Sequence, residues 1–372
     1  MSVGPELLEK SLELATTHNN ADAARGALAS IWQVGNRRLL AQGSTLWNTL
    51  SHPDHRIQLA AANAILNLGP AKGSFGGAQL VGVLQRALRS DGKVKCLIVD
   101  PNQSRANTMA TLLLGLDYGA ETAQTGREGF RKASELGDVN LILVHANSVR
   151  WALSETVANL RADSRTAGLP IVVYGPAFVA PRISNMLNRY SQITFIEESE
   201  EAGEASERFV QLKLKPFFES TLPQLSEEEL SAQKIIAADW LAQLAGPRRD
   251  ALIDMSSVQK ALRASATDGM VTRQCATAIG SIPTASAQLD LQELVVDQSL
   301  AEEGRLAVIN ELAFHVQRNG VLLGIDKQME IVRMADSVAN TGLGNAAAAL
   351  VGSLQPTAQD RFKRLQRFRP RR

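Results

Sequence analysis

Three short apolar runs constrain the middle of this chain more than any other feature: VKCLIV (94–99), VNLILVH (139–145) and LPIVVYG (169–175). None shows the polar alternation of a strand with one wet face. A strand that is apolar on both faces has to be covered on both, as in parallel sheets. Between the runs the apolar period lengthens to three or four residues. Met109, Leu112, Leu113 and Leu116 follow the first run; Trp151, Leu153, Val157 and Leu160 follow the second; Ile183, Met186 and Leu187 follow the third. AETAQT (120–125) and QITFIEE (192–198) read as two weaker strands. Thr125-Gly126-Arg127-Glu128 is a capping box opening a helix to about Leu136, and Phe209, Leu212 and Leu214 mark a last helix. Five strands alternating with five helices predict a parallel α/β domain over 93–215, with the three apolar runs at its centre.

The flanks keep a helical period throughout. In residues 1–88, Leu7, Leu8, Leu12 and Leu14 open one helix, and Ala23, Ala24, Ala27, Leu28 and Ile31 continue the spacing. In SHPDHRIQLAAANAILNLGP, His52-Pro53-Asp54 starts a helix and Gly69-Pro70 stops it. Its apolar stripe is Ile57, Ala60, Ala61, Ala64, Ile65 and Leu68. The second helical region spans 222–358. Ser226-Glu227-Glu228-Glu229 is a capping box, with Leu230, Ile235, Ile236, Leu241 and Leu244 expected inward. Helices beginning near Asp268, Glu303 and Thr341 start 35 and 38 residues apart, the mark of stacked helix pairs. Hydrophobic residues at 45% and aromatics at 5% suit helices packed through small side chains.

Two resemblances rest on these residues. The Asp54, Arg56 and alanine-rich face ending in Leu68-Gly69 resemble the second helix of a HEAT repeat, which implies a structural pairing for Asp54 and Arg56. CLIVDPNQSRANTMATLLLGLDYGAETAQTGREGF resembles the opening of a response-regulator receiver domain, and the match in order and spacing runs to about residue 215. Together they imply an α/β plus all-α chain: a flavodoxin-like five-stranded parallel sheet between HEAT-like α-solenoid segments. Residues 359–372 form a separate basic tail.

The receiver resemblance implies a phosphoryl-transfer site at the strand ends: an acid pair for Mg²⁺, an aspartate acceptor, a hydroxyl and a lysine. Here the first acid matches Asp100, but the second falls on Pro101, which has no ligand atom. The acceptor falls on His145, 45 residues after Asp100. The hydroxyl falls on Gly175, beside Tyr174, and the lysine falls on Glu197, followed by Glu198. A glutamate facing a phosphoryl group repels it, by several kcal/mol in a partly dry site. The resemblance therefore implies a pseudo-receiver that does not take phosphate. Other uses of the position stay open. His145 either caps a strand by bonding to Asp100 or the backbone, or joins Asp100 and Glu197 in a metal, general-base or ligand pocket.

The remaining features exclude more than they suggest. No Walker loop, no GxGxxG after a strand, no HExxH and no GxSxG occurs. Gly73, Gly76 and Gly77 lack the following Lys-Thr or Lys-Ser of a phosphate loop and read as a linker. Cys96 and Cys275 are isolated and read as core. His18, His52, His55 and His315 are scattered and carry no metal signature. A net charge of +1 gives no global field for nucleic acid, no signal-peptide pattern opens the chain, and no run suits a membrane span. A cytoplasmic location is expected.

The basic tail carries Arg361, Lys363, Arg364, Arg367, Arg369, Arg371 and Arg372, with Phe362, Leu365 and Phe368 at spacing three. The acidic stretch 197–207, with six glutamates, is its counterpart, so self-contact or a homo-oligomer is expected before nucleic acid. The expected function is a non-catalytic scaffold or adaptor that binds proteins, needs no cofactor and works in signal transduction. The alternatives are a small-molecule sensor at the strand-end pocket and a phosphorylation-responsive regulator.

Overall fold

The computed structural model describes every residue except 1–3, 19, 53, 71–75, 137–138, 164–165, 191, 199–203, 222–224, 247–253 and 355–372. The basic tail from Arg361 to Arg372, together with Gly73, Pro53, Glu200 and Glu201, lies outside the described residues. The chain divides into two compact units, Met1–Ile236 and Ala237–Arg372. The segments expected at 1–88 and 93–215 fall in the first.

Unit 1 opens with five helices: α1 (Pro5–Thr17), α2 (Ala21–Val34), α3 (Thr45–Asn48), α4 (His55–Leu68) and α5 (Gly77–Arg89). The Asn20 side chain accepts from the Ala23 N–H at the head of α2, and Gly35 ends it in the left-handed region at φ 69°. α4 runs as its stripe predicts. Asp54 caps it by accepting from the Arg56 N–H, and Gly69, also at φ 69°, stops it. Ile57, Ala61, Ala64, Ile65 and Leu68 are buried, while Ala60 is half-buried. In α1 the pattern is thinner than the leucine count suggests. Leu8, Leu12 and Ala15 face inward, but Leu7 and Leu14 are exposed. Four leucines within eight residues exceed what one helix face can bury. The Arg56 guanidinium pairs with the Asp54 carboxylate at 2.7 Å and lies 3.7 Å from Glu229. Gly76, the linker glycine at φ 85°, heads α5, where a Cβ would come within 2.7 Å of the Trp47 ring.

The α/β part follows. Its elements are β1 (Lys95–Val99), α6 (Gln103–Gly115), β2 (Gly119–Ala123), α7 (Gly126–Leu136), β3 (Leu141–His145), α8 (Leu153–Ala162), β4 (Ile171–Gly175), α9 (Ala180–Arg189) and β5 (Ile193–Glu197). They end in a broken helix: α10 (Glu204–Phe209), a π-helical turn Val210–Leu214, and α11 (Lys215–Thr221). All strand pairs are parallel, in the order β2-β1-β3-β4-β5. The three apolar runs thus become the three central strands.

Because side chains alternate across a sheet, each strand contributes to two cores. Cys96, Ile98, Leu141, Leu143, Val172 and Tyr174 pack with α6 and with Phe209, Val210, Leu214 and Phe218. Leu97, Val99, Ile142, Val144, Ile171 and Val173 pack with Val157 and Leu160 of α8 and Ile183 of α9. The five-stranded parallel sheet is therefore covered by helices on both faces. At the head of α7, Glu128 N–H donates to Thr125 Oγ1, while the Glu128 carboxylate accepts from the Gln124 N–H.

The N-terminal helices pack onto this sheet at its amino-terminal edge. Asn140 exchanges hydrogen bonds with the Lys95 backbone on both sides, and its amide nitrogen lies 2.9 Å from His55 Nε2. Gly168 sits against the Ser51 carbonyl, where a Cβ would collide.

α12 (Glu227–Leu244) crosses the division between the units. Its capping box closes reciprocally: Ser226 N–H donates to the Glu229 carboxylate, and Glu229 N–H donates to Ser226 Oγ. Ile235 and Ile236, expected inward, are exposed at 37% and 36%; the buried face carries Ala237, Ala238, Leu241 and Leu244. Small alanines take the inward positions, and the two isoleucines fall outside the stripe.

Unit 2 continues with α13 (Gln259–Ser265), α14 (Thr272–Gly280), α15 (Ala285–Val296), α16 (Glu302–Asn319), α17 (Ile325–Val338) and α18 (Gly344–Leu354). α16 lies between α14 and α18, while α15 packs on α17. Polar rungs link equivalent levels of successive helices. Thr277 donates to Glu311 at 2.8 Å, Gln292 to Glu330 at 2.8 Å, and Gln274 to Asp239 at 2.9 Å. The deepest rung is fully buried. Gln288 lies 2.9 Å from His315 Nδ1, donates to Gly320 O, and accepts from the Leu322 and Leu323 N–H groups. His315 Nε2 lies 2.8 Å from the Ile282 carbonyl.

Burial, reinforced by the Arg86 charge and partly opposed by Asp54, lowers the His55 pKa to about 3, and burial also lowers those of His52 and His315. The unfolded chain takes up these protons below 6.5, so their stabilisation is complete above that pH and is lost as pH falls toward 3. His55 alone should cost on the order of 1–2 kcal/mol by pH 5, read as a decline in denaturation midpoint that a His55→Gln variant reduces. Gly168→Ala should destabilise unit 1 by about 1–3 kcal/mol in urea denaturation, since backbone cannot yield to the added methyl.

Candidate functional site

The carboxyl ends of β1, β3, β4 and β5 meet where a parallel sheet places its sites. Alternation decides which side chains reach that point from one face. Asp100 continues the Cys96–Ile98 series, His145 continues Leu141–Leu143, and Tyr174 follows Val172. On β5, Ile196 pairs with Tyr174, so Glu198 carries on its side while Glu197, paired with Gly175, belongs to the other.

Asp100 is fully buried and its carboxylate is saturated. Arg105, near the start of α6, grips it bidentately, Nε to Oδ2 at 2.6 Å and a terminal nitrogen to Oδ1 at 2.8 Å. The Tyr174 hydroxyl donates to Oδ2 at 2.6 Å, and the Asn102 N–H donates to Oδ1 at 2.8 Å. Burial would raise the Asp100 pKa, but the Arg105, Tyr174 and Asn102 hydrogen bonds outweigh it and hold the carboxyl below its ordinary value. Tyr174 moves far upward, first through burial and then through the neighbouring Asp100 charge. Burial works against the Arg105 cation, and the Asp100 hydrogen bond and charge together with Glu198 more than restore it.

Glu198 joins the set from β5. One of its oxygens lies 3.5 Å from Arg105 Nε and the other 3.4 Å from His145 Nε2. His145 Nδ1 accepts from the Asn147 N–H at 3.1 Å, and its buried Nε2 is turned toward Glu198 without a hydrogen-bond partner. The ring stacks edge-on against Tyr174 at 5.1 Å between centroids. Gly175 is tight for a steric reason: a Cβ would come within 2.9 Å of the Ala146 Cβ.

Asp100, His145 and Tyr174 therefore converge, and Pro101 and Gly175 flank them without a polar side-chain atom. Glu197 does not join. Its side chain is exposed, and its carbonyl accepts from Lys213 at 2.9 Å. The charge that enters the site is Glu198, and the cation is Arg105. Strand parity signals the former, since counting by twos from Tyr174's partner selects 198 over 197. Arg105 has a weaker signal, a basic residue one helical turn beyond a buried acid.

Chemically, the arrangement is a closed ion-pair and hydrogen-bond cluster. Each Asp100 oxygen already accepts two hydrogen bonds, so coordination of a cation there would displace Arg105 or Tyr174. Among the described residues, no group of three or more His, Cys, Asp or Glu is placed to hold a metal ion. Cys96 and Cys275 are buried, and burial raises both thiols, Cys275 to about 12, away from reactivity. Among the described residues, no helix is long and apolar enough to cross a membrane. No family model, curated protein or solved structure matches the chain.

Removing one partner of a buried charge leaves the other uncompensated. Arg105→Leu should destabilise the protein by about 3–5 kcal/mol, and Tyr174→Phe by about 1.5–3 kcal/mol, both measured by urea denaturation at pH 7. An Arg105→Leu variant as stable as the parent would refute the cluster's structural role.

Proposed function

We propose that this chain is a non-catalytic protein-binding adaptor, built from a receiver-like α/β module without phosphate control and flanking HEAT-like helical arrays, acting in signal transduction. The observation that carries the reading is the saturated Asp100 carboxylate. Where a working receiver keeps carboxylates open for Mg²⁺, this chain turns its one retained acid into the anchor of an internal salt bridge with Arg105. The acceptor position holds His145, whose Nε2 is buried and faces Glu198. An incoming phosphoryl group would meet that carboxylate.

The strand order β2-β1-β3-β4-β5 is the flavodoxin-like one and supports the receiver reading. The rows of α14, α16 and α18 and of α15 and α17, with rungs spanning about one repeat, support HEAT-like packing in 222–358. The same reading covers α1–α5 in 1–88.

An adaptor needs exposed apolar surface, and the α/β part has it. Phe178, between β4 and α9, is 64% exposed, and Leu212, on the π-helical turn, is 72% exposed. The fourth strand, fifth strand and last helix are the face through which receivers act; Leu212 belongs to the last helix, and Phe178 lies on the turn just after the fourth strand. Leu212 lies opposite Val210 and Leu214, which stay in the core, so it faces outward from the turn. The sensor alternative is weaker, since the Tyr174 hydroxyl is spent on Asp100 and both are buried, although His145 Nε2 is buried without a hydrogen-bond partner.

Affinity capture with the purified chain should recover a partner that is lost at least tenfold on Phe178→Glu with Leu212→Glu, with melting unchanged. Incubation with acetyl phosphate should leave no covalent label. Stable phosphorylation, or retention of every captured protein by the double variant, would sink this reading.

A further inference from the structure

Unit 2 carries an open groove of about 360 Å³ between the C-terminal ends of α12, α14 and α16. Ala242 of α12 and Ala245 just beyond it form one apolar wall, Phe314 of α16 forms the other, Thr277, Ser281 and Glu311 lie between, and Arg318 stands at the rim with its guanidinium held by the Gly280 carbonyl. Phe314 is 55% exposed on a helix whose opposite side is core. Glu311 uses one oxygen to accept from Thr277 at 2.8 Å. Its second oxygen lies against Gly280, where a Cβ would come within 2.9 Å, so the glycine gives this carboxylate room. Among the described residues Glu311 has no ion-pair partner. The C-terminal ends of α12 and α14 add the negative ends of two helix dipoles, of which Arg318 engages one by donating to the Gly280 carbonyl at 3.0 Å. An aromatic wall beside an unpaired carboxylate fits a ligand that combines an apolar group with a cation.

We propose that the groove is occupied by this chain's own basic segment, Arg361–Arg372, through one of Phe362, Leu365 and Phe368 and a neighbouring arginine or lysine. Topology brings the segment to the correct edge. α14 and α16 run parallel, since Thr272 packs on Gly304 near their starts and Thr277 bonds Glu311 further along. α16 and α18 also run parallel, since Gly342 packs on Glu302. Twelve residues beyond that contact, Leu354 stands level with Phe314 on the adjacent helix. The separation is one interhelical spacing, about 8–10 Å. The seven residues from Leu354 to Arg361 span about 23 Å when extended, enough to cross α16. Occupation from within would make the segment a competitor for any basic, aromatic-bearing partner. This inference rests on unit 2 alone and is independent of the receiver reading.

The test uses fluorescence anisotropy with a fluorescein-labelled peptide of residues 359–372. Two full-length proteins are compared, the parent and a variant carrying Phe362→Ser, Leu365→Ser and Phe368→Ser. The variant, with its groove vacated, should bind the peptide at least tenfold more tightly than the parent. Adding Phe314→Ser, or the conservative Glu311→Gln, should weaken that binding at least tenfold, with circular dichroism unchanged. Equal binding by parent and variant, no binding by either, or binding indifferent to Phe314 and Glu311 overturns the proposal. Sedimentation of the parent should give a monomer. A concentration-dependent dimer lost in the triple-serine variant would place the segment in a neighbour's groove and overturn the intrachain contact.

Discussion

A carboxylate with no exposure to water has to be compensated in place, and Asp100 organises much of unit 1 through that requirement. Arg105 fixes the first turn of α6 against the end of β1, and Tyr174 ties β4 to the same oxygen. Glu198 then brings in the chain beyond β5 as the second carboxylate near Arg105. Four elements, β1, α6, β4 and the chain just beyond β5, are thereby held to one charged centre. Such a cluster specifies geometry more than it adds net stability, because the desolvation of the charges offsets much of their attraction.

The sequence made the sheet readable because its central strands are apolar on both faces and its edges are not. VKCLIV, VNLILVH and LPIVVYG became the three inner strands for the reason that made them conspicuous: only double coverage removes such runs from water. The convergence of Asp100, His145 and Tyr174 was readable from the same spacing. Glu197 shows where reading by motif position gives out. The position is right to within one residue, yet a strand places adjacent residues on opposite faces, so that one residue decides which glutamate meets Arg105. Arg105 was only weakly legible because its role depends on how α6 leaves β1, which propensity does not encode. In α1 and α12, leucines and isoleucines outnumber the positions a helix can bury, and tertiary packing chose among them.

Unit 2 relies on a different device. Beside a core of Leu, Ile, Val and Ala side chains, buried amides join its helices. Gln288 spends its amide and carbonyl on His315, the Gly320 carbonyl and two backbone N–H groups, so one side chain satisfies a turn and joins α15 to α16. Full satisfaction is essential in such a place, since an unpaired polar atom at that depth costs about 1–3 kcal/mol. Thr277 and Gln274 form similar links at more accessible levels, while Gln292, also fully buried, donates to Glu330 and leaves its Oε1 without a partner.

The rungs also govern how unit 2 comes apart. Each connects a helix to the next level of the stack, 27 to 38 residues away, whereas the pairing of β1 with β3 joins positions 45 apart through a parallel crossover. Sequence-local contacts form quickly and break one layer at a time. Among the described residues the pair α17 and α18 has a neighbouring layer on one side only, so its opening breaks fewer interlayer contacts than opening an inner pair does. Leu354 ends α18 in that pair. A force applied at Leu354 itself is therefore borne by this pair before it reaches the inner layers.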